Sequence, residues 1–415
     1  MTFRTPGYPL FLALTFALQG SDDPTRSVRW QLLLSVAVLA LVYWLGQRLW
    51  DARTGLLAAT LLAFDLPSLA YALFVMSETQ FTLLLLLTLI VLLQQFVPGQ
   101  PPRWGIALSA GCLLALTTFT RPISYYLILP LALLVVWFGW RARWNGRALL
   151  GFLTLLVLPS LLLIGGWQLR NYRLTGDSAF STVTASSLFL YRGAGILALR
   201  DQIPLEAAQE QLRTELVGLT SEQARNAYMS QRGLALVRQY PWLALRTQVN
   251  GALTMLLGLG DGWLMALLYA DPTASSLGWG LLRAPGSADF AAWSQARPLG
   301  VLAFGLAALQ LLATYLGIAC WLCLTLRDWL TRRSASYDSF SYDSASYHPG
   351  NQWSLYWPAH LLLWMTIAYL VAISAGPEAN SRFRIPFMPL LTLYGAAGIG
   401  MGIKMFFARS INQQK

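Results

Sequence analysis

The chain has 415 residues, of which 56% are hydrophobic and only 11% are charged. A soluble globular protein carries about 25% charged residues, so this composition excludes an ordinary soluble domain. The formal net charge is +11. In a chain this apolar, we attribute the positive excess to loops that fix topology and contact anionic lipid headgroups, and we expect no nucleic-acid partner. The composition predicts a membrane protein that crosses the bilayer several times.

Long apolar runs flanked by arginine or lysine predict the membrane-spanning helices, because each crossing needs roughly 20 residues of helix. In chain order, the runs cover residues 29–45, 55–75, 81–97, 104–120, 123–140, 149–167, 299–326, 358–375 and 385–407. The positive-inside rule places arginine-rich ends such as those at Arg48 and Arg141 in the cytoplasm. We therefore predict an all-α polytopic transmembrane bundle whose remaining polar clusters lie on the outer face.

The spans and the polar segments between them predict four regions. The regions are an N-terminal transmembrane catalytic-type module (1–170), an outer-face helical subdomain (171–245), a re-entrant or interfacial segment with a loop (246–298), and C-terminal transmembrane helices (299–415). The number of crossings leaves no room for a simple span in the apolar stretch 249–269. A tract rich in serine and tyrosine near 331–354 predicts a disordered cytoplasmic loop.

Polar residues at membrane depth are costly, so each is a functional hypothesis. Glu78, in Ser77-Glu78-Thr79, can bind a metal ion or act as a general base. A helix-capping role explains the same carboxylate equally well. Arg121, in Thr120-Arg121-Pro122, can hold a phosphate, and its alternative is a side chain that reaches toward lipid headgroups.

Two further clusters lie near the predicted outer face. Arg170 and Asn171 follow Trp167 where a span leaves the membrane, and these polar groups can face a cavity beside an interfacial aromatic belt. Arg382 and Arg384 precede a helix that begins with a proline. They form a candidate anion clamp, since the helix N-terminus adds partial positive charge.

Five short motifs in this order resemble bacterial GT-C glycosyltransferases, in the branch of the protein mannosyltransferases and aminoarabinose transferases. The motifs are Pro6-Gly7-Tyr8-Pro9-Leu10, Ser77-Glu78-Thr79, Thr120-Arg121-Pro122, Arg170-Asn171-Tyr172 and Arg382-Phe383-Arg384-Ile385-Pro386. The resemblance implies a GT-C-type fold in the bacterial inner (plasma) membrane and a polyprenyl-phosphate sugar donor used at the outer face.

The resemblance also implies roles for individual residues. Glu78 matches the acidic position near the acceptor or a divalent metal ion, and Arg121 matches a basic position in the adjoining outer loop. Arg382 and Arg384 match the region near the donor phosphate, and Tyr8 lies in the substrate-binding motif. The sequence contains no Gly-rich phosphate loop, so we expect no nucleotide cofactor.

In the family, a further span and an outer loop with a catalytic aspartate precede the Pro-Gly-Tyr-Pro motif, which here begins at Pro6. We expect either that the sequence is truncated at its N-terminus or that the chain is an inactive relative that binds lipid-linked sugars. The predicted function is sugar transfer from a polyprenyl-phosphate donor to a hydroxyl of a protein, lipid or glycan. The alternative is a transporter or flippase, which would be built from internal repeats.

Overall fold

The computed structural model describes residues 4–97, 100–260, 267–269, 292, 294–334 and 357–413. Within these residues the regular structure is helical and no strand occurs. The predicted all-α fold class is therefore confirmed.

The α-helices are numbered in chain order. They are α1 (Gly7–Gln19), α2 (Ser27–Leu49), α3 (Ala52–Ala63), α4 (Leu66–Ala72), α5 (Glu78–Leu93), α6 (Trp104–Thr120), α7 (Ile128–Arg141), α8 (Gly146–Thr175), α9 (Val183–Ser186), α10 (Ala194–Asp201), α11 (Leu205–Thr214), α12 (Glu222–Gln239), α13 (Pro241–Leu257), α14 (Pro298–Ser334), α15 (Trp357–Ser374) and α16 (Met388–Gln413). Short 3-10 turns cover Pro24–Arg26, Pro122–Ser124 and Ser381–Phe387, and a π-helical segment covers Ser187–Gly193.

Several of these helices are long and apolar enough to cross a membrane. Among the described residues, the five single spans are Pro24–Leu49, Pro122–Arg141, Gly146–Thr175, Pro298–Asp328 and Ser381–Phe406. The pair α3 and α4 provides a sixth if the two helices are taken as one span. These spans confirm the predicted polytopic helical bundle.

The predicted span 55–75 is broken into α3 and α4, which meet at an angle of 63°. Asp65 causes the break because its carboxylate accepts a hydrogen bond from the backbone N–H of Ser68 at 3.1 Å and so starts a new helix. Pro67 occupies the first turn of α4, where its missing N–H costs nothing.

The chain divides into two compact units. Unit 1 consists of Met1–Ser27, Gln80–Gly258 and Leu361–Arg384, and unit 2 consists of Val28–Thr79, Leu259–His360 and Ile385–Lys415. The four predicted regions rest on the membrane spans and the polar segments between them, not on compactness, and that division stays a prediction. Helix α14 continues to Ser334, and the remainder of the predicted disordered loop lies outside the described residues.

Unit 1 holds two packed parts. Helix α6 approaches α8 closely at Gly111, where a Cβ atom would meet the backbone carbonyl of Leu156. The helices from Val183 to Gln239 share a separate apolar core that includes Phe189, Leu212 and Leu236. The helical character predicted for this region is therefore confirmed, while its position on the outer face stays a prediction.

Unit 2 is organised around small residues and an aromatic cluster. Helix α14 contacts α16 where Gly317 faces Gly398. The two backbones can approach this closely because both residues are glycine, since neither position leaves room for a Cβ atom. The cluster consists of Trp50, Trp321, His360 and Tyr394, whose ring centroids lie 4.6–5.8 Å apart in the packed pairs. Close backbone approach and ring packing together explain how these helices associate.

Candidate functional site

The N-terminal motif packs directly against the end of α6. A Cβ atom added to Gly7 would lie 2.6 Å from the carbonyl carbon of Phe119, so the two backbones touch only because residue 7 is glycine. The hydroxyl of Thr5 donates to the carbonyl oxygen of Thr120 at 3.5 Å. The ring of Tyr8 is partly buried and stacks on Phe11, with centroids 5.9 Å apart. Two motifs more than 100 residues apart in the chain therefore meet in unit 1.

Arg121 is fixed where α6 ends. Its backbone is extended (φ −145°, ψ 129°), as a residue before proline prefers, and its N–H still donates to Thr117 at 3.0 Å. The guanidinium lies over the ring of Phe81, with Cζ 5.8 Å from the ring centroid. Ser124 donates to the carbonyl of Arg121 at 3.3 Å and stabilises the following turn. The arrangement holds a partly buried cation at the helix end.

An aromatic cluster joins the end of α6 to the last part of α8. The ring of Phe119 packs against Trp167 and Phe180, with centroid distances of 6.1 and 5.6 Å. The guanidinium of Arg170 lies over Trp167, at 4.3 Å from its ring centroid. The indole Nε1 of Trp167 is buried and has no hydrogen-bond partner among the described residues. The sequence predicts only an ordinary interfacial residue at this position.

Asn171 is fully buried and organises the segment that follows α8. Its side-chain amide donates to the carbonyl oxygens of Ala179 and Phe180, at 2.9 and 3.5 Å. Its side-chain oxygen accepts a hydrogen bond from Nη1 of Arg170 at 3.0 Å. The side chain therefore orients Arg170, while a direct contact of Asn171 with substrate stays a prediction.

The polar motifs share one end of unit 1, which we call the site end. The site end is where α1 begins, where α6 ends and where α8 approaches its end. At the opposite end, Trp144 donates to the carbonyl of Gln100 at 3.4 Å. The arginine-rich turns lie there, because Arg103 precedes α6 and Arg147 opens α8. The length of α6, about 25 Å, separates them from Arg121.

The two C-terminal arginines have different surroundings. Arg384 is 2% exposed, and its Nη1 donates to the carbonyl oxygens of Met255, Leu256 and Gly258 at 3.1, 2.8 and 2.9 Å. These groups terminate α13, where a cation is favoured by the partial negative charge of the helix end. These hydrogen bonds make Arg384 an anchor for the end of α13. The predicted role of Arg384 in phosphate binding stays a prediction.

Arg382 lies in the loop 375–384, which includes the start of the 3-10 turn Ser381–Phe387 and which neighbouring side chains hold in place. Arg192 donates from Nη2 to the carbonyls of Ile373 and Ala375 at 2.7 and 3.3 Å. The backbone N–H of Arg382 donates to the side chain of Asn380 at 3.0 Å. Arg382 is therefore a partly exposed cation on a constrained backbone.

A long-range hydrogen bond ties this loop to the site end. The hydroxyl of Tyr369, in the last two turns of α15, donates to the carbonyl of Ile123 at 2.7 Å. Ile123 belongs to the turn that follows Arg121, so the loop carrying Arg382 begins at the same end of unit 1. No local pattern in the sequence identifies Tyr369 or Arg192 as partners of these segments.

Glu378 is a further acidic residue of this loop that sequence analysis did not single out. Its carboxyl folds back onto Gly376, where an added Cβ atom would lie 2.5 Å from Oε2. Oε2 is buried and has no hydrogen-bond partner among the described residues. Burial raises the pKa of Glu378 above its usual value, and the positive charge of Arg192 acts in the opposite direction.

Glu78 belongs to unit 2, where it is the first residue of α5 and is fully buried. A carboxylate in the first helical turn is stabilised by the partial positive charge of the helix end. Its catalytic role stays a prediction. The described ranges contain no group of three or more His, Cys, Asp or Glu side chains that could hold a metal ion. Metal binding at Glu78 stays a prediction, and we derive no step through a metal.

Comparison with known proteins supports a membrane glycosyltransferase of the GT-C type. The family model of dolichyl-phosphate-mannose-protein mannosyltransferase matches residues 4–165. The matched segment contains Tyr8, Glu78 and Arg121 and ends before Arg170 and the C-terminal arginines. The match confirms the predicted resemblance over the segment that holds the first three motifs. No curated protein matches the chain.

Proposed function

We propose that the chain transfers a sugar from a polyprenyl-phosphate-linked donor to a hydroxyl group of an acceptor at the outer face of the membrane. The observation that carries this proposal is the convergence, at the site end, of the motifs around Tyr8, Arg121 and Arg170. The loop that carries Arg382 begins at the same end. The matching family is described by a dolichyl-phosphate-mannose donor, and a polyprenyl phosphate sugar has the same reactive group.

The arginines suit the charge that develops during this reaction. When the acceptor oxygen attacks the anomeric carbon, the bond from that carbon to the phosphate oxygen breaks and polyprenyl phosphate leaves. The guanidinium groups of Arg121, Arg170 and Arg382 would bind the departing phosphate through charge-assisted hydrogen bonds. Arg384 and Asn171 would act indirectly, by fixing the backbone and the side chains beside them.

The acceptor hydroxyl must lose its proton, and Glu78 is the carboxylate that we assign to this step. Its full burial at the start of α5 also suits a purely structural role. Replacement by glutamine separates the two roles because Glu78→Gln keeps the shape but cannot take the proton. A catalytic base predicts lost transfer in a folded protein, whereas a structural carboxylate predicts a change in stability.

Arginines lie at both ends of unit 1, and we assign those of the site end to the donor phosphate rather than to topology. The opposite end carries Arg103, Arg141, Arg143 and Arg147, and the positive-inside rule assigns such an end to the cytoplasm. The site end then faces the other side of the membrane. We propose the bacterial inner membrane as the location, on the basis of the motif resemblance.

The decisive experiment measures sugar transfer by the purified chain in lipid nanodiscs. Radiolabelled polyprenyl phosphates bearing mannose, glucose or aminoarabinose are incubated with membrane extracts as acceptors, and label that leaves the polyprenyl lipid is counted. Arg121→Ala should lower transfer by about 10²–10³-fold, the typical effect of losing one stabilising donor in a transition state.

The matched control is Arg147→Ala, because Arg147 is an exposed arginine at the opposite end of unit 1. This variant should transfer sugar as the wild type does. Equal activity of the two variants, or no transfer of any of these sugars by the wild type, would overturn the proposal. Movement of intact donor across the bilayer, without covalent product, would favour the flippase alternative.

A further inference from the structure

Helix α13 has an apolar face that no described residue covers. Trp242, Leu245, Val249 and Leu253 lie along one side and are 48–74% exposed. Their spacing of three or four residues makes this a continuous stripe, which we call the α13 stripe. The surface of a helix in water would carry polar residues at these positions, so the stripe requires an apolar environment.

The opposite face of α13 is packed against unit 1. Met255 is fully buried, and Gly251 touches the backbone of Gly376 so closely that a Cβ atom would not fit. Gln248 donates to the carbonyl of Ala372 at 2.6 Å. These contacts fix the rotation of the helix about its axis and leave the α13 stripe pointing away from the described residues that α13 packs against.

The polar residues of α13 argue against a crossing of the bilayer, whereas its length, 17 residues as in α6, does not decide the question. Arg246 and Asn250 are exposed beside the stripe, and both would be costly in the centre of the bilayer. A helix with an apolar stripe and flanking cations is typical of one that lies in the plane of the membrane interface.

The neighbourhood of α13 favours lipid as the partner. Gln248 binds the last turn of α15, an apolar helix on which the adjacent Ile373 is 39% exposed. Helix α13 is therefore held against an apolar helix whose last turn exposes Ile373. Arg238 and Arg246 are both exposed and can meet anionic headgroups. Trp242, at the start of the helix, is the side chain most characteristic of membrane interfaces.

We infer that α13 lies in the interface of the bilayer, with the α13 stripe in contact with the acyl-chain boundary and with Arg246 and the preceding Arg238 of α12 at the headgroups. The carbonyls at its C-terminal end bind Arg384, two residues after Arg382. If the proposed function is correct, a helix resting on the membrane surface sets Arg382 at the depth of the donor phosphate. The lipid contact itself does not depend on that function.

A fluorescence-quenching experiment in vesicles tests this inference with a matched pair of valines. Val249 lies on the α13 stripe, and Val217 is 82% exposed in the turn between α11 and α12. In a background with the native cysteines replaced (Cys112→Ala, Cys320→Ala and Cys323→Ala), Val249→Cys and Val217→Cys each receive one environment-sensitive fluorophore. Quenching is measured with nitroxide-labelled lipids and with aqueous iodide.

The expected result is strong quenching by the lipid nitroxide at position 249 and strong quenching by iodide at position 217. Leu253→Cys, one turn further along the stripe, should behave as position 249 does. Iodide quenching at 249 and 253 equal to that at 217 would overturn the inference. Protection of both positions from both quenchers would also overturn it, by showing that a protein surface covers the stripe. Neither outcome depends on sugar transfer.

Discussion

Arg384 donates a hydrogen bond of 2.9 Å to the carbonyl oxygen of Gly258, just beyond the end of α13. The same Nη1 atom also binds Met255 and Leu256. A cation that its sequence context assigns to a phosphate is thus engaged with a helix terminus. Arg382, two residues earlier, is partly exposed. The neighbouring arginines therefore separate into one that holds the backbone and one that we propose contacts the donor.

This separation predicts opposite effects of two alanine substitutions. Arg384→Ala should lower the free energy of unfolding by on the order of 3 kcal/mol, because it removes charge-assisted hydrogen bonds and leaves buried carbonyls unpaired. Arg382→Ala should change stability by less than about 0.5 kcal/mol and should sharply reduce sugar transfer. Thermal unfolding in detergent and the transfer assay measure the two quantities. Wild-type stability of Arg384→Ala would contradict the anchoring role.

The contact between Gly7 and Phe119 predicts that Gly7→Ala is harmful. The new methyl group would lie 2.6 Å from backbone atoms of α6, so the N-terminal motif must move away from Thr120. We expect a loss of about 1–3 kcal/mol, typical of overpacking, together with reduced transfer.

Gly166→Ala is the matched control for this substitution. Gly166 lies inside α8 with no atom within 4 Å of an added Cβ, so alanine there should stabilise the helix by about 0.5–1 kcal/mol. Thermal unfolding of both variants provides the comparison. Equal stability of Gly7→Ala and the wild type would show that the two backbones are not in firm contact.

The five single spans could be predicted from the sequence because burial in lipid imposes one requirement on every crossing, a long run of apolar residues. Three other predicted spans, 81–97, 104–120 and 358–375, correspond to apolar helices of fewer than 18 residues in the part of the chain that the structure describes. The break between α3 and α4 also has a local signal, since Asp65 is followed by Leu66 and Pro67, and such a sequence starts helices. The contiguous prediction over 55–75 gave hydropathy more weight than this capping signal.

The composition of the candidate site was only partly predictable, because its decisive contacts join distant segments. Arg384 meets carbonyls 126–129 residues away in the chain. Tyr369 binds Ile123 across 246 residues. A backbone carbonyl carries no sequence signature, so no motif can distinguish an arginine that anchors a helix from one that binds phosphate.

Glu378 predicts a change of stability with pH. Burial raises the pKa of its carboxyl above the usual 4.5, so the folded protein holds this proton more tightly than the unfolded chain does. The contribution of Glu378 to stability is then fully present below about pH 4.5 and is lost as the pH rises through the folded-state pKa. The unfolding temperature of Glu378→Gln minus that of the wild type should therefore be larger at pH 7.5 than at pH 4. A difference that is the same at both pH values would refute this assignment.

The turn between α2 and α3, in unit 2, predicts that stability changes with pH in the direction opposite to that expected for Glu378. Asp51 caps α3 by accepting from the backbone N–H of Thr54 at 2.8 Å, and it accepts from Lys404 at 2.9 Å. Although burial raises the pKa of Asp51, the hydrogen bonds from Lys404 and Thr54 outweigh it and lower the pKa to about 2. The stabilisation is therefore present above the usual value of 3.8 and is lost as the pH falls through about 2.

Substitutions at this turn separate the helix cap from the ion pair. Asp51→Ala should cost about 1 kcal/mol, the typical value of a helix cap. Lys404→Met should cost less, because the lysine side chain is 68% exposed and its ion pair is screened by water. Asp51→Asn should keep most of the cap while removing the charge. Unfolding temperatures measured at neutral pH should therefore fall in the order wild type, Lys404→Met, Asp51→Ala. Because Asp51→Ala removes both the cap and the ion pair, an equal loss for Lys404→Met would show that the cap contributes no stability.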